Sequence, residues 1–300
     1  MPIKAVAEDL GLPLHQIDSF RPWRTTKTYN LLVTVSFGLL VPKKVLEAAK
    51  YGGLNVHPSL LPDLRGAAPI EHALLKRREV TGVSLQTMHP TKFDHGVVLA
   101  QSEQVPIRYT SRHYEGPQQL QKKLRTLGAG LLRKGIEEAI FVPPLQDARA
   151  GMPDPLQIDP APKITPQDRQ IDWKTWTADE IQFRDIVLGQ LWDTQTFPRC
   201  FEPQAAPAKP KRITFIGPWS KIESEQHAGS MGEPQLIRSG FHNGLSLGIK
   251  TVDGCVVAPR SATIEGRSRG TGVQALTEQI RQRMKATGKA AKDSTTNSGP

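Results

Sequence analysis

A short stretch, residues 53–70 (GLNVHPSLLPDLRGAAPI), places several polar side chains between two apolar segments. Asn55 and His57 end a run with strand character, so side-chain alternation puts both on the same face. A His side chain can accept or donate a proton near pH 7, and an Asn amide can donate to an oxygen that becomes negative in a tetrahedral intermediate. The pair suits acyl transfer, although an Asn-x-His triplet alone is more often two satisfied loop residues.

A third polar candidate is Asp94, in the segment TKFDHGVVLAQ at residues 91–101. It comes two residues before Gly96 and directly ahead of an apolar strand. An Asp in a turn usually caps its own backbone, and an Asp-x-Gly tripeptide has little specificity by itself. Any catalytic role for Asp94 therefore depends on its combination with the other two residues.

The elements that would position these three residues alternate between strands and helices. The nearly continuous apolar run at residues 29–38 has the length and character of a strand covered on both faces. Residues 42–53 begin with a proline and end at paired glycines, as helices often do. The next elements are the strand GLNVH, the helix APIEHALLKR, the strand TGVSLQTMH and the extended segment HGVVLAQSEQVPI. This order predicts an α/β domain with a Rossmann-like, mostly parallel sheet, in which ligands bind beyond the carboxyl ends of the strands.

The rest of the chain divides into a helix, a linker and a second domain. Residues 111–140 have a helical pattern with one core-facing stripe of leucines. The proline-rich, aperiodic segment that follows is typical of a linker, which places the end of the first domain near residue 155. Residues 156–285 offer short strands between Gly and Pro turns and predict a smaller β-barrel domain of OB-like type. We expect residues 286–300, which have no apolar anchor, to form a disordered tail.

The composition excludes some classes of protein and favours others. The chain carries 39 Lys and Arg against 29 Asp and Glu, a net charge of +10 with a pI near 9.7, which favours a polyanionic partner such as nucleic acid. Scattered surface lysines and a solvated tail would explain the same excess. No apolar run reaches the roughly 18 residues of a membrane span. Cys200 and Cys255 are too far apart in sequence to indicate a disulfide framework or a zinc site.

Taken together, the motifs carry a family resemblance. The segment NVHPSLLPDLRGAAPI, followed by TGV and then by Asp-x-Gly ahead of a strand, resembles the folate-dependent formyltransferase superfamily, in which an Asn, a His and an Asp form the catalytic trio. The ending RGAAPI is similar to the methionyl-tRNA formyltransferases within that superfamily. The segment APKITPQDRQIDW at residues 161–173 resembles the element that opens their C-terminal barrel. The resemblance extends from residue 1 to about 190, weakens from 190 to 280 and is absent from the tail.

The resemblance implies transfer of the formyl group of 10-formyltetrahydrofolate to the α-amine of methionine on initiator tRNA, for translation initiation. Asn55 would bind the formyl oxygen as negative charge develops, and His57 would stabilise that oxyanion or move protons. Asp94 would orient His57, or a water that relays the proton to the leaving nitrogen. This carbonyl chemistry needs no metal, and no His, Cys or Asp cluster has metal-ligand spacing. Four loop residues would line the folate site: Ser59, Leu60, Leu61 and Pro62.

The same resemblance implies the partners and the compartment. Initiator methionyl-tRNA and folate would be the partners of a monomer without membrane association, and a basic groove between the domains would hold the acceptor stem through phosphate contacts. Such enzymes act in bacteria, mitochondria and plastids. The weakly matching C-terminal half favours the mitochondrial matrix of a eukaryote, whereas a bacterial chain would be cytoplasmic. Candidate cations for the phosphate contacts, each by itself an ordinary solvated charge, are Lys163, Lys209, Lys211, Arg212, Arg260, Arg267 and Arg269.

Three features depart from the family pattern. Family members begin with a strand, a helix, a second strand and a loop that engages the tRNA acceptor end; none of these precedes Met1, so we expect the first strands of the sheet to be absent. Asp63 stands where relatives often carry a basic or neutral residue, at a position that should be exposed. His95, next to Asp94, could perturb that carboxylate or point to solvent. Two alternative functions stay open: formyl transfer to the amine of a nucleotide sugar, and folate or tRNA binding by a truncated, catalytically inactive protein.

Overall fold

A computed structural model describes residues 2–21, 28–110, 113–153, 157–201, 210–222, 230–238 and 244–295. The chain divides into two compact units: unit 1 comprises residues 1–107 and 118–163, and unit 2 comprises residues 108–117 and 164–300. The sequence places the end of the first domain near residue 155, whereas the chain leaves unit 1 after Lys163. Backbone hydrogen bonds explain the difference, because they hold residues 159–161 against the segment around Arg65.

Unit 1 combines a sheet with helices. The helix Pro69–Leu75 starts with a proline, at a position where a backbone N–H is not needed for helical bonding. The predicted α/β class of this part of the chain is confirmed. The elements of unit 1, in chain order, are α1 (Pro2–Asp9), β1 (Leu32–Val35), α2 (Lys43–Glu47), β2 (Gly53–His57), α3 (Pro69–Leu75), β3 (Val80–Thr81), β4 (Ser84–Thr87), β5 (Val98–Gln101), β6 (Val105–Pro106) and α4 (Pro117–Glu137).

The central sheet of unit 1 has the strand order β1-β2-β4-β5. Strands β1 and β2 are parallel, whereas β4 is antiparallel to both of its neighbours, β2 and β5. The described sheet is therefore mixed, and the prediction of a mostly parallel sheet holds only for β1 and β2. An apolar run shows that both faces of a strand are covered, and this is equally true of an antiparallel strand between two layers. The strand register places Thr34 and Gln86 on either side of Asn55.

Helix α4 packs on the face of this sheet opposite to Asn55. At Gly128 a Cβ would crowd the side chain of Val56, so the glycine allows a close approach between the helix and β2. Burying each core leucine contributes roughly 2 kcal/mol, which fixes β2 and the residues at its carboxyl end. The core between sheet and helix is formed by leucines from both layers: Leu54, Leu85 and Leu99, with Leu131 and Leu132 packed against them.

Unit 2 is mainly β-structure. Strands β9 to β13 form an antiparallel sheet with the order β11-β12-β13-β10-β9. The predicted second, β-rich region is thus present, but its closure into an OB-like barrel stays a prediction, because the described sheet order ends at β11 and β9. The elements of unit 2 are β7 (Tyr109–Thr110), β8 (His113–Tyr114), a 3-10 turn (Gln167–Arg169), α5 (Ala178–Leu188), β9 (Trp192–Asp193), α6 (Thr196–Phe201), β10 (Ile213–Ile222), β11 (Pro234–Arg238), β12 (Leu245–Lys250), β13 (Val256–Ile264) and α7 (Gly272–Thr295).

Helix α7 extends further than the sequence predicts. It runs to Thr295, past residue 286, where we expected a disordered tail to begin. The alanines and lysines of this segment have high helix propensity, which accounts for the longer helix. Residues 296–300 lie outside the described residues. None of the helices in the described ranges is both long enough and apolar enough to span a membrane.

Candidate active site

Three of the predicted site residues meet at the carboxyl end of β2. Asn55 Nδ2 donates to Asp94 Oδ1 over 3.1 Å, and His57 Nδ1 lies 3.3 Å from the same oxygen. Asp94 comes from the loop between β4 and β5. The side chains of His57 and Asp94 are only 5% and 7% exposed. A strand end and a distant loop thus bring an amide, an imidazole and a carboxylate together, largely screened from water.

The Asp94 carboxylate is held from two directions. Asp94 has a φ of 56°, a left-handed conformation that Asp adopts more readily than most residues. From the loop after β2, Arg65 Nε donates to the Asp94 carbonyl oxygen over 2.8 Å and the Gly66 N–H donates to Oδ2 over 3.0 Å. From β4, Gln86 Nε2 donates to Oδ1 over 2.9 Å. The Arg-Gly pair, which the sequence marks only as part of a family ending, is therefore an anchor for Asp94.

The orientation of the Asn55 amide is fixed by its two neighbours. Thr34 Oγ1 donates to Asn55 Oδ1 over 3.0 Å, and Asn55 Nδ2 donates to Asp94. A rotated amide would place its oxygen against the carboxylate, so only one orientation satisfies both contacts. The amide has two N–H groups and Asp94 takes one of them. The second is left for an oxygen that gains negative charge in the adjoining cavity.

His57 is in contact with an oxygen at each ring nitrogen. Nδ1 faces Asp94 Oδ1, and Nε2 lies 2.9 Å from the Leu64 carbonyl oxygen. Both oxygens are acceptors, and a neutral imidazole has one N–H, so only the imidazolium satisfies both contacts. Burial lowers the pKa of His57, and this effect is opposed by Asp94 and by the Leu64 carbonyl. Above that lowered pKa one of the two contacts lacks a proton, so the His57–Asp94 pair is suited to accept one.

A cavity of about 360 Å³ opens beside these residues. It lies within the size range of small-molecule sites. Asn55, His57 and Asp94 form one part of its wall, and residues 36–41 and 86–89 form much of the rest. Lys92 is the one Lys or Arg among the described residues that line it. Within the described ranges, no group of three or more His, Cys, Asp or Glu side chains could hold a metal ion.

The four predicted folate-binding residues, Ser59 to Pro62, are not among the residues that line this cavity. The Ser59 hydroxyl donates to the Asp63 carbonyl oxygen over 2.6 Å, and Ser59 and Leu61 are each 1% exposed. The Leu61 carbonyl oxygen accepts from Gln101 and from Arg149. The loop is engaged in internal hydrogen bonds and packing, and its part in folate binding stays a prediction.

The two unusual residues of the motif take different positions. Asp63, expected to be exposed, has a side chain only 16% exposed that accepts two hydrogen bonds from Arg78, over 2.9 and 3.1 Å. The backbone N–H of Asp159 also donates to Asp63, over 2.8 Å. His95 is exposed, with Nδ1 2.6 Å from the Phe93 carbonyl oxygen, and does not line the cavity. Asp63 thus ties residues near 159 to the loop after β2, and His95 does not line the cavity.

Two of the predicted phosphate-binding cations lie on aromatic rings in unit 2. Arg212 Cζ is 4.2 Å from the ring centroid of Trp192, and Lys211 Nζ is 5.7 Å from that of Phe197. Such stacking orients a cation without neutralising its charge. Lys209 lies outside the described residues.

Sequence reasoning missed part of the cavity wall. Residues 37–41 follow β1 as Pro58 follows β2, and the rule that ligands bind beyond the carboxyl ends of strands could have pointed to them. Thr34 and Gln86 offered no such signal, because their positions beside Asn55 follow from strand pairing. The sequence alone does not reveal which residues of neighbouring strands lie side by side.

The comparisons with known proteins point to one family. Residues 24–133 match the formyl transferase family model. The mitochondrial methionyl-tRNA formyltransferase of Saccharomyces cerevisiae is 36% identical over 178 residues, which cover 54% of this chain and 43% of the yeast protein. The methionyl-tRNA formyltransferase of Bacillus licheniformis is 37% identical over 180 residues, covering 57% of this chain and 53% of that protein. The chain spans about half the length of these curated relatives.

A solved structure supports the assignment of the fold. The crystal structure of HypX from Aquifex aeolicus in complex with tetrahydrofolic acid superimposes with a TM-score of 0.52, over 84% of this chain and 39% of that one. The sequence identity is 16%. At that identity the likeness shows a shared fold and says nothing by itself about a shared ligand.

Proposed function

We propose that the chain transfers a formyl group from a folate donor to the amine of methionyl-tRNA, since residues 24–133 match the formyl transferase family model. We propose 10-formyltetrahydrofolate as the donor and methionine esterified to initiator tRNA as the acceptor. The observation that carries the proposal is the meeting of Asn55, His57 and Asp94 at the wall of one cavity. The names of the yeast and Bacillus relatives support the tRNA acceptor.

Asn55 supplies the oxyanion contact. When the amine attacks the formyl carbon, the carbonyl oxygen becomes negative, and the uncommitted N–H of Asn55 donates to it. The amide is held in place before the reaction by Thr34 and Asp94, so no reorganisation is needed as charge develops. A donor of this kind contributes about 2.7–4 kcal/mol to transition-state stabilisation.

The His57–Asp94 pair handles the proton. A carbon–nitrogen bond forms to the acceptor amine, the bond from the formyl carbon to N10 of the folate breaks, and one proton passes from the amine to N10. Asp94 Oδ1 faces Asn55, Gln86 and His57, whereas Gly66 is the donor to Oδ2. Oδ2 therefore has room to accept the amine proton, directly or through a water. An imidazolium at His57 balances the carboxylate charge and favours the oxyanion.

The apolar part of the cavity suits the ring system of a folate. Phe37, Leu40, Val41 and Met88 line it next to the trio, and flat aromatic groups pack well against such side chains. Lys92, whose side chain is exposed, would meet the carboxylates of the donor's glutamate tail. We assign the folate site to this wall. Ser59 to Pro62 would then stabilise the protein next to the site without contacting the folate.

The proposed RNA acceptor accounts for the charge of the chain. A net charge of +10 favours phosphate contacts, and Lys211 and Arg212 are candidates in unit 2. We propose that the chain acts as a monomer. The yeast relative is mitochondrial and the Bacillus relatives are bacterial, so the mitochondrial matrix is the proposed location in a eukaryote and the cytoplasm in a bacterium.

A direct assay tests the proposed function. The protein is mixed with 10-formyltetrahydrofolate and methionine-charged initiator tRNA, and N-formylmethionine is measured after deacylation. Product that depends on Asn55 supports the proposal. Formylation of a nucleotide-sugar amine, with none on the charged tRNA, would favour the alternative acceptor. A folded sample that binds folate but forms no product would leave the inactive binding protein as the better description.

A further inference from the structure

Gln86 links Asp94 to the backbone that follows it. It lies on β4 opposite Asn55 and is 1% exposed. Its Nε2 donates to Asp94 Oδ1 over 2.9 Å, and its Oε1 accepts from the Gly96 N–H over 3.3 Å. A rotated amide would set its oxygen against the carboxylate and its nitrogen against the Gly96 N–H, so the neighbours allow one orientation. One buried side chain thus contacts both the carboxylate and the turn that carries it.

Gln86, like Asn55 and Gly66, differs from His57 as a partner of Asp94 in a way that matters for proton transfer. His57 offers a proton to Asp94 Oδ1 only in some protonation states, whereas Gln86 offers an N–H at every pH. At Gly96 a Cβ would overlap the Thr87 carbonyl oxygen, so the turn already lies tightly against β4 and has little freedom to move elsewhere. Gln86 therefore keeps a hydrogen bond to the carboxylate, which faces His57, even when His57 is neutral.

We infer that Gln86 is a positioning residue for formyl transfer, which holds Asp94 aimed at His57 so that the pair can accept the amine proton. The inference rests on the proposed function, because it gives Gln86 a part in that reaction. Gln86 acts through Asp94 and need not touch either substrate. Its removal should affect turnover and the pH profile more than donor binding.

The charged groups around Asp94 set the sign of the expected pH effect. His57 faces it from β2 and Arg65 from the following loop. On the loop of Asp94 itself, Lys92 lines the same cavity, and the ring of His95 is turned to the Phe93 carbonyl. A variant that removes the neutral amide leaves these charges in place. Because the lost N–H no longer compensates the carboxylate charge, Asp94 should interact more strongly with His57 and the pKa of His57 should rise.

The test uses two substitutions of Gln86 and a matched control. Gln86→Met keeps the length of the side chain and removes the amide, and Gln86→Asn keeps an amide too short to reach Asp94. Gln101→Met is the control, because Gln101 lies in the same sheet and donates to Leu61 and Ser84 without lining the cavity. If Gln86→Met does not fold, Gln86→Asn carries the same test.

Both Gln86 variants should lower kcat by about 10- to 100-fold through misplacement of Asp94, with the KM for 10-formyltetrahydrofolate changed less than about 3-fold. The acidic limb of the pH–rate profile should move up by about 0.5–1 pH unit, the equivalent of one net hydrogen bond. Gln101→Met should lower thermal stability without moving that limb. A folded Gln86 variant with the wild-type kcat and pH profile would overturn the inference. So would a loss of turnover that Gln101→Met reproduces to the same extent.

An NMR titration separates this inference from the proposed function. The imidazole signals of His57 are followed against pH in wild type, Gln86→Met and Gln101→Met, without any substrate. The midpoint for His57 should rise in Gln86→Met and stay in place in Gln101→Met. Absence of formyl transfer by the wild-type chain would refute the proposed function, and with it the part given to Gln86 in that reaction. An unchanged His57 midpoint in Gln86→Met, in an active enzyme, would instead refute the inference about Gln86 alone.

Discussion

Two adjacent pieces of one sequence motif take different positions relative to the cavity. Asn55 and His57 end β2 and enter the cavity wall, whereas Ser59 to Pro62, which begin two residues later, turn into the protein and support it. Both pieces belong to the same family resemblance, and on that ground both were predicted to form part of the site. The difference shows that nearness in sequence to a residue of this cavity wall does not place a residue in that wall.

The physical cause of the difference lies in the hydrogen bonds of each piece. Asn55 keeps one amide N–H without a committed partner beside the cavity, and His57 has a proton too few for its two acceptors in the neutral form. In contrast, the Leu61 N–H donates to Ser84 Oγ over 2.9 Å, and its carbonyl accepts from Gln101. The strand end therefore has hydrogen-bonding groups left for a ligand, whereas these backbone groups of the loop already bond to neighbouring residues.

The largest effect is expected at the strand end. Asn55→Ala should lower the kcat of the folded protein by about 10²–10³-fold, because it removes a donor to the developing oxyanion. The assay is formylation of charged initiator tRNA at saturating donor. Asn30→Ala, at an exposed position of the same unit, is the control and should keep wild-type turnover. A kcat within about 3-fold of wild type in Asn55→Ala would mean that the strand end is not the oxyanion site.

The next effect concerns the stability contributed by Asp63, which directly follows the Ser59 to Pro62 loop. Asp63→Ala removes the carboxylate that accepts two hydrogen bonds from Arg78 and one from the Asp159 N–H. It should lower the free energy of unfolding by about 1–3 kcal/mol, because those donors are partly buried and lose their partner. Chemical denaturation measures the change, and the kcat of the folded fraction should stay near wild type.

A matched surface pair sharpens that result. Lys43 and Glu47 form an ion pair 3.5 Å long with both side chains more than half exposed. Glu47→Ala should cost at most about 0.5 kcal/mol, as exposed pairs of this spacing do. Equal losses from Asp63→Ala and Glu47→Ala would show that Asp63 does not anchor the loop.

A smaller effect should come from within the loop. Ser59→Ala removes the hydroxyl that donates to the Asp63 carbonyl oxygen and should cost about 0.5–1.5 kcal/mol of stability. The affinity for the folate donor, measured as its KM, should not change, since Ser59 does not line the cavity. If Ser59→Ala instead weakened that affinity by about 5-fold or more, with stability unchanged, the loop would belong to the folate site. The contrast between the loop and the strand end would then be wrong.

Features that depend on residues close together in sequence could be predicted, whereas contacts between distant residues could not. Local patterns predicted the α/β class and the strand that carries Asn55 and His57. A long motif indicated a role for Asp94, and the structure brings the three residues together. The antiparallel direction of β4 could not be read from apolar runs, because such runs report burial and carry no sign of direction. The pairing of Asp63 with Asp159 joins residues 96 positions apart, and no local pattern encodes a contact of that range. Thr34 and Gln86 become visible only once the register of the sheet is known.

The smallest expected effect tests the cavity wall that we propose as the folate site. Lys92→Ala should raise the KM for 10-formyltetrahydrofolate by about 2- to 5-fold and leave kcat unchanged, because an exposed ion pair with the glutamate tail contributes roughly 0.4–1 kcal/mol. The effect should grow with a polyglutamylated donor and shrink at high salt, since screening weakens an exposed contact. Lys44→Ala, at an exposed position of α2 that does not line the cavity, should change neither constant. Equal KM values in the wild type and Lys92→Ala at low salt, with both donors, would place the tail elsewhere and weaken the assignment of the folate to the wall formed by residues 36–41 and 86–94.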